Sequence, residues 1–165
     1  METELKETPS GRFEGREAFI QIVRDSFSCA AQQGWQQIMV SDASFEDWPL
    51  HERAVAESLR QWSASGRRFV MVAGRYDAVL RIQARFVAWR QRWGHIIECR
   101  ICRNLNQADF PSLIWSPVWA LRRLDLLRST GVCGTTADRR QQVRESLDEM
   151  LAASAPGFPS STLGL

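Results

Sequence analysis

Charged side chains follow each of the three apolar runs that predict buried strands in this sequence. The first run, IMVS, ends at Asp42, the second ends at Gly74, and the third ends at Cys102. In an open α/β sheet, ligands bind in the crevice beyond the carboxyl ends of the strands. We therefore predict a ligand-binding rim made of the charged and ring side chains that follow these runs: Asp42, Trp48, His51, Arg75, Asp77 and Arg103.

The arginines of this rim indicate a class of ligand. Guanidinium groups pair with carboxylates and phosphates in a planar, bidentate geometry, so Arg75 and Arg103 can hold an anionic small molecule. The alternative is structural: Asp42 caps a turn, Asp77 caps the following helix, and the rim charges neutralise one another. A rim that is open to water would indicate a ligand-binding site, whereas charges that pair with one another would indicate a purely structural role.

Other catalytic chemistries have few suitable residues. Cys99 and Cys102 form a C-x-x-C pair, but side chains three apart in a strand point to opposite faces, so we interpret them as buried structural cysteines. His51 and His95 are the only histidines. A Ser/His/Asp arrangement around His51 stays open, although the sequence has no G-x-S-x-G elbow. We predict no catalytic residue, no cofactor and no metal ion.

The basic residues also limit the function classes. Lysine and arginine total 21, but Lys6 is the only lysine, and it lies in the polar segment METELKETPSGR, residues 1–12, which we predict to be a flexible leader. Schiff-base chemistry and phosphate-loop binding by a lysine therefore have no candidate. The formal net charge of +2 disfavours nucleic acid as a partner. Because no signal peptide and no membrane span is present in the sequence, we expect a cytoplasmic protein and no membrane contact.

One predicted helix carries a row of arginines. Residues 76–93 have an amphipathic pattern that predicts one long helix, and Arg81, Arg85 and Arg92 lie within about 40° of one another at 100° per residue. This basic ridge can contact phosphates or an acidic partner. The alternative is a solvated face beside the core-forming stripe of the same helix.

The elements that position these residues alternate over most of the chain. Helical patterns at residues 14–33, 49–65 and 76–93 alternate with strand patterns at residues 35–41, 67–74 and 95–102. Such alternation predicts parallel strands with right-handed crossovers, and Asp47 is the expected N-cap of the second helix. The segment SLIWSPVWALRRL then predicts a hairpin or an angled edge strand. We predict a single α/β domain over residues 13–153: a three-layer sandwich with a mainly parallel sheet, helices on both faces, and a C-terminal hairpin or edge strand plus a terminal helix.

The C-terminal tail SAPGFPSSTLGL, residues 154–165, has an irregular but partly apolar sequence. Its prolines and glycines exclude a regular helix, whereas Phe158, Leu163 and Leu165 are side chains that a purely solvating tail rarely has. We predict that the tail docks in extended form, either on its own domain or in a groove of a second copy. A protein partner or self-association through this tail is therefore expected.

The order of elements is similar to that of one repeat of the phospholipase D-like fold. The resemblance covers residues 13–125 and includes the IMVSD, RFVMVAG and HIIECRIC strands and then SLIWSPVWALRRLD. In that family, a hairpin after the third strand carries His-x-Lys-x-x-x-x-Asp. Here Val118 stands at the histidine position, Ala120 at the lysine position and Asp125 last, so the resemblance implies a degenerate member without the catalytic motif. The ending FPSSTLGL also resembles that of a family of bacterial proteins.

We therefore expect a non-catalytic binding or assembly module. The first alternative is a hydrolase that acts on a phosphorylated or carboxylated small molecule at Asp42, Arg75 and Asp77. The second alternative is a nucleic-acid accessory protein that uses the basic ridge of the long helix.

Overall fold

One mixed β-sheet of eight strands organises the residues that the computed structural model describes, which are residues 7–158. The strands are β1 (Gly11–Phe13), β2 (Gln37–Asp42), β3 (Arg68–Ala73), β4 (Ile97–Ile101), β5 (Ser112–Trp115), β6 (Ala120–Asp125), β7 (Thr130–Gly134) and β8 (Ala155–Pro156). The α-helices are α1 (Arg16–Gln33), α2 (Arg53–Ser63), α3 (Asp77–Ile82), α4 (Ala84–Arg92) and α5 (Ala137–Ala152). Within residues 7–158, no helix is both long and apolar enough to cross a membrane.

Antiparallel pairing dominates this sheet, so the prediction of a mainly parallel sheet is wrong. The strand order is β1-β7-β6-β5-β2-β3-β4-β8. Among the described strands only β2–β3 and β3–β4 pair in parallel, and the other five pairs are antiparallel. The crossover helices end with α4. After β5 and after β6 the chain turns through the short loops 116–119 and 126–129, which are too short for a parallel crossover.

Helices cover both faces of the sheet over its central strands. In β3, Phe69 and Met71 face the core formed with α1, α2 and α4, while Val70 and Val72 face the core formed with α5. Burial on both faces explains why the central strands have unbroken apolar runs. The antiparallel strand β5 lies between β2 and β6 and has the same kind of run, so its apolar pattern does not reveal its direction or its central position.

The region predicted as one long helix, residues 76–93, contains two helices, so that prediction is wrong. The chain breaks at Gln83, which has φ −121° and ψ 56° and a fully buried side chain. Its Nε2 donates hydrogen bonds to the carbonyl oxygens of Phe45 and Trp48, at 2.7 and 3.4 Å. A buried amide requires such partners, and at the break the loop after β2 supplies them.

Both ends of the described chain pair with the sheet. β1 begins at Gly11, inside the predicted leader, and pairs with β7. At the other end, β8 pairs with β4, and Phe158 is buried beyond it. The other two apolar residues of the predicted tail contact, Leu163 and Leu165, lie outside the described residues.

Candidate functional site

A buried arginine of β6, Arg123, joins two carboxylates in the segment that leaves β2. Its Nη2 donates to Asp42 Oδ1 at 2.9 Å, and its Nη1 donates to Asp47 Oδ2 at 2.6 Å. The side chains of Arg123 and Asp42 are 2% and 5% exposed, whereas that of Asp47 is 27% exposed. The guanidinium carbon also lies 3.9 Å from the ring centroid of Phe19 in α1. One ion network thus connects β2, β6 and α1.

The side chain of Asp42 stabilises the loop after β2. Its Oδ2 accepts hydrogen bonds from the backbone N–H groups of Phe45 and Ser44, at 2.8 and 3.3 Å. Aspartate commonly stabilises turns in this way, and here Phe45 adopts a φ of 57°, which is uncommon for a bulky residue. Asp47 is held towards the guanidinium, so it does not cap the next helix, and α2 begins only at Arg53.

Burial and charge pairing act in opposite directions on Arg123. Burial lowers its pKa, because the charged guanidinium loses hydration, but the hydrogen bonds and charges of Asp47 and Asp42 have the larger effect and hold the pKa above its ordinary value. The third nitrogen, Nε, donates to Ser112 Oγ at 3.2 Å. The guanidinium is therefore charged and has a partner for each of its nitrogens.

The ion network forms one side of a cleft at the carboxyl end of β2, with a volume of about 320 Å³. The start of α1, the loop after β2, the segment between β4 and β5, and the β6–β7 loop all contribute to its walls. We call it the Arg123 cleft, and its lining residues are Arg16, Asp42, Ala43, Ser44, Glu46, Asp47, Gln107, Arg123, Leu126, Leu127 and Ser129.

Two charged side chains that line the Arg123 cleft have no polar partner among the described residues. Arg16 and Glu46 are exposed, and neither side chain has a hydrogen bond or an ion pair with another described residue. Arg16 can bind a carboxylate or a phosphate, and Glu46 can bind a hydroxyl or an amine. The arrangement can therefore hold a small polar ligand beside the paired charges of the network.

Of the six residues predicted to form the rim, Asp42 is the one that lines the Arg123 cleft. Trp48 is buried in the core, where its ring packs edge-on against Phe19 and Phe45. The parallel pairing of β2, β3 and β4 places all three strand ends at one edge of the sheet, but the cleft extends from β2 towards the β6–β7 loop. The remaining rim residues are exposed and line no part of it: His51, Arg75, Asp77 and Arg103.

The three arginines of the predicted basic ridge are exposed, but they do not lie on one helix. Arg81 is in α3, whereas Arg85 and Arg92 are in α4 beyond the break at Gln83, so the 100° spacing relates Arg85 to Arg92 but not to Arg81. Arg85 Nη1 donates to the His51 carbonyl oxygen at 2.8 Å. None of the three lines the Arg123 cleft.

Arg123 is not among the predicted site residues, although β6 contains a signal for it. In ALRRLD, Leu121 and Arg123 are two residues apart and share one face of the strand, and Leu121 is fully buried. An arginine on a buried face requires a counter-charge, and the acidic residues after β2 can supply one. A mainly parallel sheet gives no reason to place β6 near β2, so this pairing was not predicted.

Cysteines and metal ligands indicate no other site within residues 7–158. No group of three or more His, Cys, Asp or Glu side chains in that range could hold a metal ion. Cys99 and Cys102 belong to cores on opposite faces of the sheet. Burial raises the pKa of the Cys99 thiol to about 11, which keeps it protonated and unreactive near neutral pH.

Comparison with known proteins gives structural neighbours. No model of a protein family matches the chain, and no curated protein matches it. The archaeal chromatin protein TrmBL2, described as showing a novel mode of DNA binding, superimposes with a TM-score of 0.67 at 13% identity, over 94% of this chain and 56% of that one. Nuc from Salmonella typhimurium, a phospholipase D family member, gives a TM-score of 0.59 at 9% identity, over 90% and 98%. Phosphatidylserine synthase from Haemophilus influenzae gives 0.51 at 10% identity, over 85% and 37%.

The likeness to Nuc extends over almost the whole of both chains. This chain has a phospholipase D-like fold. At these identities the likeness establishes the fold alone, and the chain spans only about half of the archaeal protein. On this phospholipase D-like fold, the β5–β6 hairpin places Val118 at its exposed turn and Ala120 beneath α5. Asp125 Oδ1 accepts hydrogen bonds from the backbone N–H groups of Leu127 and Arg128, at 2.9 and 3.1 Å, and so closes the β6–β7 turn.

Proposed function

We propose that this chain is a binding domain without catalytic activity, built on a phospholipase D-like fold, and that the Arg123 cleft holds its ligand. The observation that carries the proposal is that the buried charges of the cleft pair with one another. Asp42 and Asp47 both bind Arg123, so neither carboxylate is free to act as a base, and the guanidinium is not free to hold a phosphoryl group. Val118 and Ala120 add support, because neither side chain can attack a phosphodiester or bind its oxygens.

The unpaired groups of the Arg123 cleft define the class of ligand. Arg16 fits a carboxylate or a phosphate, while Glu46 and Gln107 fit hydroxyl or amino groups on the same molecule. A volume of about 320 Å³ lies at the lower end of the range for sites that bind small molecules. The proposed ligand is therefore a small anion that also carries hydrogen-bonding groups.

The hydrolase alternative has less support. It needs Asp42, Arg75 and Asp77 in one site, and the last two do not line the Arg123 cleft. In addition, both carboxylate oxygens of Asp42 already accept hydrogen bonds, from Arg123 and from the backbone of Phe45. A buried and paired carboxylate is a poor general base.

Calorimetric titration with glutamate, citrate, inorganic phosphate and glycerol phosphate tests the binding proposal. We expect at least one of these anions to bind, and Arg16→Ala to weaken the binding by about tenfold or more, because it removes a charge-assisted hydrogen bond. Arg53→Ala is the matched control: this arginine is exposed at the start of α2 and does not line the cleft, so binding should not change. If none of the four anions binds, or if both variants weaken binding equally, the assignment of the cleft is wrong.

A separate assay tests the absence of catalysis. With a chromogenic phosphodiester as substrate, we expect the purified chain to show no turnover above the buffer rate. Turnover that disappears in Asp125→Asn would mean that the hairpin retains an active motif, and would contradict the non-catalytic proposal independently of any result on ligand binding.

A nucleic-acid accessory role is the second candidate, because a DNA-binding chromatin protein is among the structural neighbours. The residues proposed to contact phosphates are the exposed Arg81, Arg85 and Arg92. Replacing Arg81 and Arg92 by alanine should weaken binding to duplex DNA. It should also reduce the dependence of binding on salt, because a protein that contacts fewer phosphates releases fewer counterions from the DNA. Arg67→Ala, at an exposed position before β3, is the control. Failure of the wild-type chain to bind duplex DNA at low salt would remove this candidate.

A further inference from the structure

Within residues 7–158, the sheet face that carries α5 is left open towards β1 and β7. α5 packs over β5, β6 and β2. Beyond it, the strand register places Arg12 of β1 opposite Val132 of β7, and Val132 opposite Arg122 of β6. Opposite residues in paired strands share a face, and Arg122 is two residues from Ala120, which belongs to the core beneath α5. These side chains therefore lie on the α5 side, and we define the open face as Arg12, Arg122, Leu124, Thr130 and Val132.

The open face is apolar at its centre and basic on both sides. Leu124 is 64% exposed, and with Val132 and Thr130 it lines an open cleft of about 470 Å³. The same cleft is also lined by Arg12, Gly131 and, at its β1 end, Phe13 and the acidic Glu14. Neither Arg12 nor Arg122 has a hydrogen bond or an ion pair with another described residue. They stand two strands apart, which is about 10 Å. A molecule that covers this face therefore needs carboxylates at about that spacing.

α5 carries such carboxylates on the side that faces away from the sheet. Asp138, Glu145 and Glu149 are all exposed and lie within about 40° of one another at 100° per residue, opposite the buried residues of the helix. The rise of a helix separates Asp138 from Glu145 by about 10 Å along its axis. We call these three residues the acidic stripe. Its spacing matches that of the two arginines of the open face.

We propose that the acidic stripe of α5 in one copy docks on the open face of a second copy, so that the chain forms a two-fold symmetric dimer. One chain carries both complementary surfaces, and a self-complementary interface around a two-fold axis requires that. Docking gives Arg12 and Arg122 their carboxylate partners and removes Leu124 from water. A nucleic acid fits this face less well, because the acidic stripe of α5 lies beside it and repels phosphates.

Charge reversal tests the proposed dimer in solution. Sedimentation from micromolar to millimolar protein should show a dimer for the wild-type chain. An open-face variant, Arg12→Glu with Arg122→Glu, and a stripe variant, Asp138→Arg with Glu145→Arg, should each stay monomeric, because like charges then meet at both contacts. An equimolar mixture of the two variants should form a heterodimer, because opposite charges meet at both contacts again. All four positions are exposed, so the variants should fold.

The control is Arg53→Glu with Arg67→Glu, which changes the charge by the same amount away from the open face and should dimerise like the wild type. A wild-type chain that is monomeric throughout the concentration range overturns the proposal, and so does a dimer that the open-face variant leaves intact. If the open-face variant is monomeric but the mixture contains no heterodimer, a segment other than α5 covers the open face, and the proposed occupant is wrong.

Discussion

At the scale of single residues, the ion network around Arg123 positions the site more than it stabilises the fold. Removing a guanidinium from water costs several kcal/mol, and pairing it with two carboxylates offsets that cost without greatly exceeding it. The main effect of the network is to fix the relative positions of the elements around the cleft. It holds the loop after β2 against β6, while the Phe19 ring covers the guanidinium. The walls of the Arg123 cleft depend on that placement.

Removing Arg123 should nevertheless be strongly destabilising. Arg123→Met leaves Asp42 buried without its counter-charge, and we expect the free energy of unfolding in urea to fall by about 3–5 kcal/mol. Adding Asp42→Asn to that variant should restore part of the loss, because the uncompensated charge is then removed. The control is Arg24→Ala, which breaks an ion pair with Glu52 whose side chains are 39% and 25% exposed and should cost about 1 kcal/mol or less. Equal losses in Arg123→Met and Arg24→Ala would contradict the buried network.

At the scale of elements, local pattern predicts helices and central strands but not breaks or strand directions. The predicted first helix, residues 14–33, corresponds to α1 at Arg16–Gln33, because apolar spacing and a terminal glycine are local signals. The break at Gln83 has no such signal: the amide is satisfied by carbonyl groups of the loop after β2, far away in sequence. β5 is apolar on both faces, and strands of either direction share that property.

The helix break should depend on the buried amide of Gln83. Gln83→Leu leaves the Phe45 carbonyl without its donor, and we expect a loss of roughly 1–2 kcal/mol in the free energy of unfolding. The loss is limited because Oε1 of Gln83 has no partner among the described residues, so the substitution also removes an unsatisfied acceptor. Gln91→Leu, at an exposed position of α4, should change stability little. If both variants unfold like the wild type, the amide does not hold the break.

At the scale of the whole molecule, the candidate site lies where the parallel and antiparallel halves of the sheet meet. Asp42 closes a parallel strand, Arg123 lies on an antiparallel one, and the two are 81 residues apart in sequence. The sequence predicts a candidate site after β2, because strand ends and clustered charges are local features. It does not indicate the partner, because that depends on the return of β5 and β6 beside β2. The predicted rim therefore extended towards β3 and β4 instead.

The buried thiols should make the folded protein sensitive to alkaline pH. Burial raises the pKa of Cys99 and of Cys133 to about 11, and it also raises the pKa of Tyr76. A thiol whose pKa is higher in the folded state than in the unfolded state stabilises the fold while it is protonated. This contribution is fully present below the pKa of the unfolded state, near 9 for a thiol, and is lost as the pH rises towards 11. We expect the free energy of unfolding to fall between pH 9 and 11. Replacing both cysteines by alanine should flatten that fall, and an unchanged slope would contradict thiol burial.

Phe158 attaches the C-terminal segment to the opposite edge of the sheet from the open face. Its ring packs edge-on against Tyr76, with centroids 5.4 Å apart, and its carbonyl oxygen accepts a hydrogen bond from Arg90 Nη2 at 3.0 Å. One residue earlier, the Gly157 N–H donates to the Cys99 carbonyl oxygen at 3.0 Å. These contacts support docking of the tail on its own domain, one of the two arrangements that the tail sequence predicts.

Phe158→Ala and deletion of residues 157–165 should both lower the melting temperature. Burying one phenylalanine side chain contributes about 1.5–3 kcal/mol. When the segment is lost or detaches, the entropy cost of ordering its backbone is no longer paid, so the free energy of unfolding should fall by an amount at the lower end of that range. Leu127→Ala, at a side chain that is 99% exposed, is the control and should melt like the wild type. Because the open face lies at the β1 edge and the described part of the tail, residues 155–158, lies at the β4 edge, neither tail variant should change the solution mass. A tail variant that melts normally would show that the contact contributes nothing, whereas one that loses the dimer would show that the tail reaches a second copy.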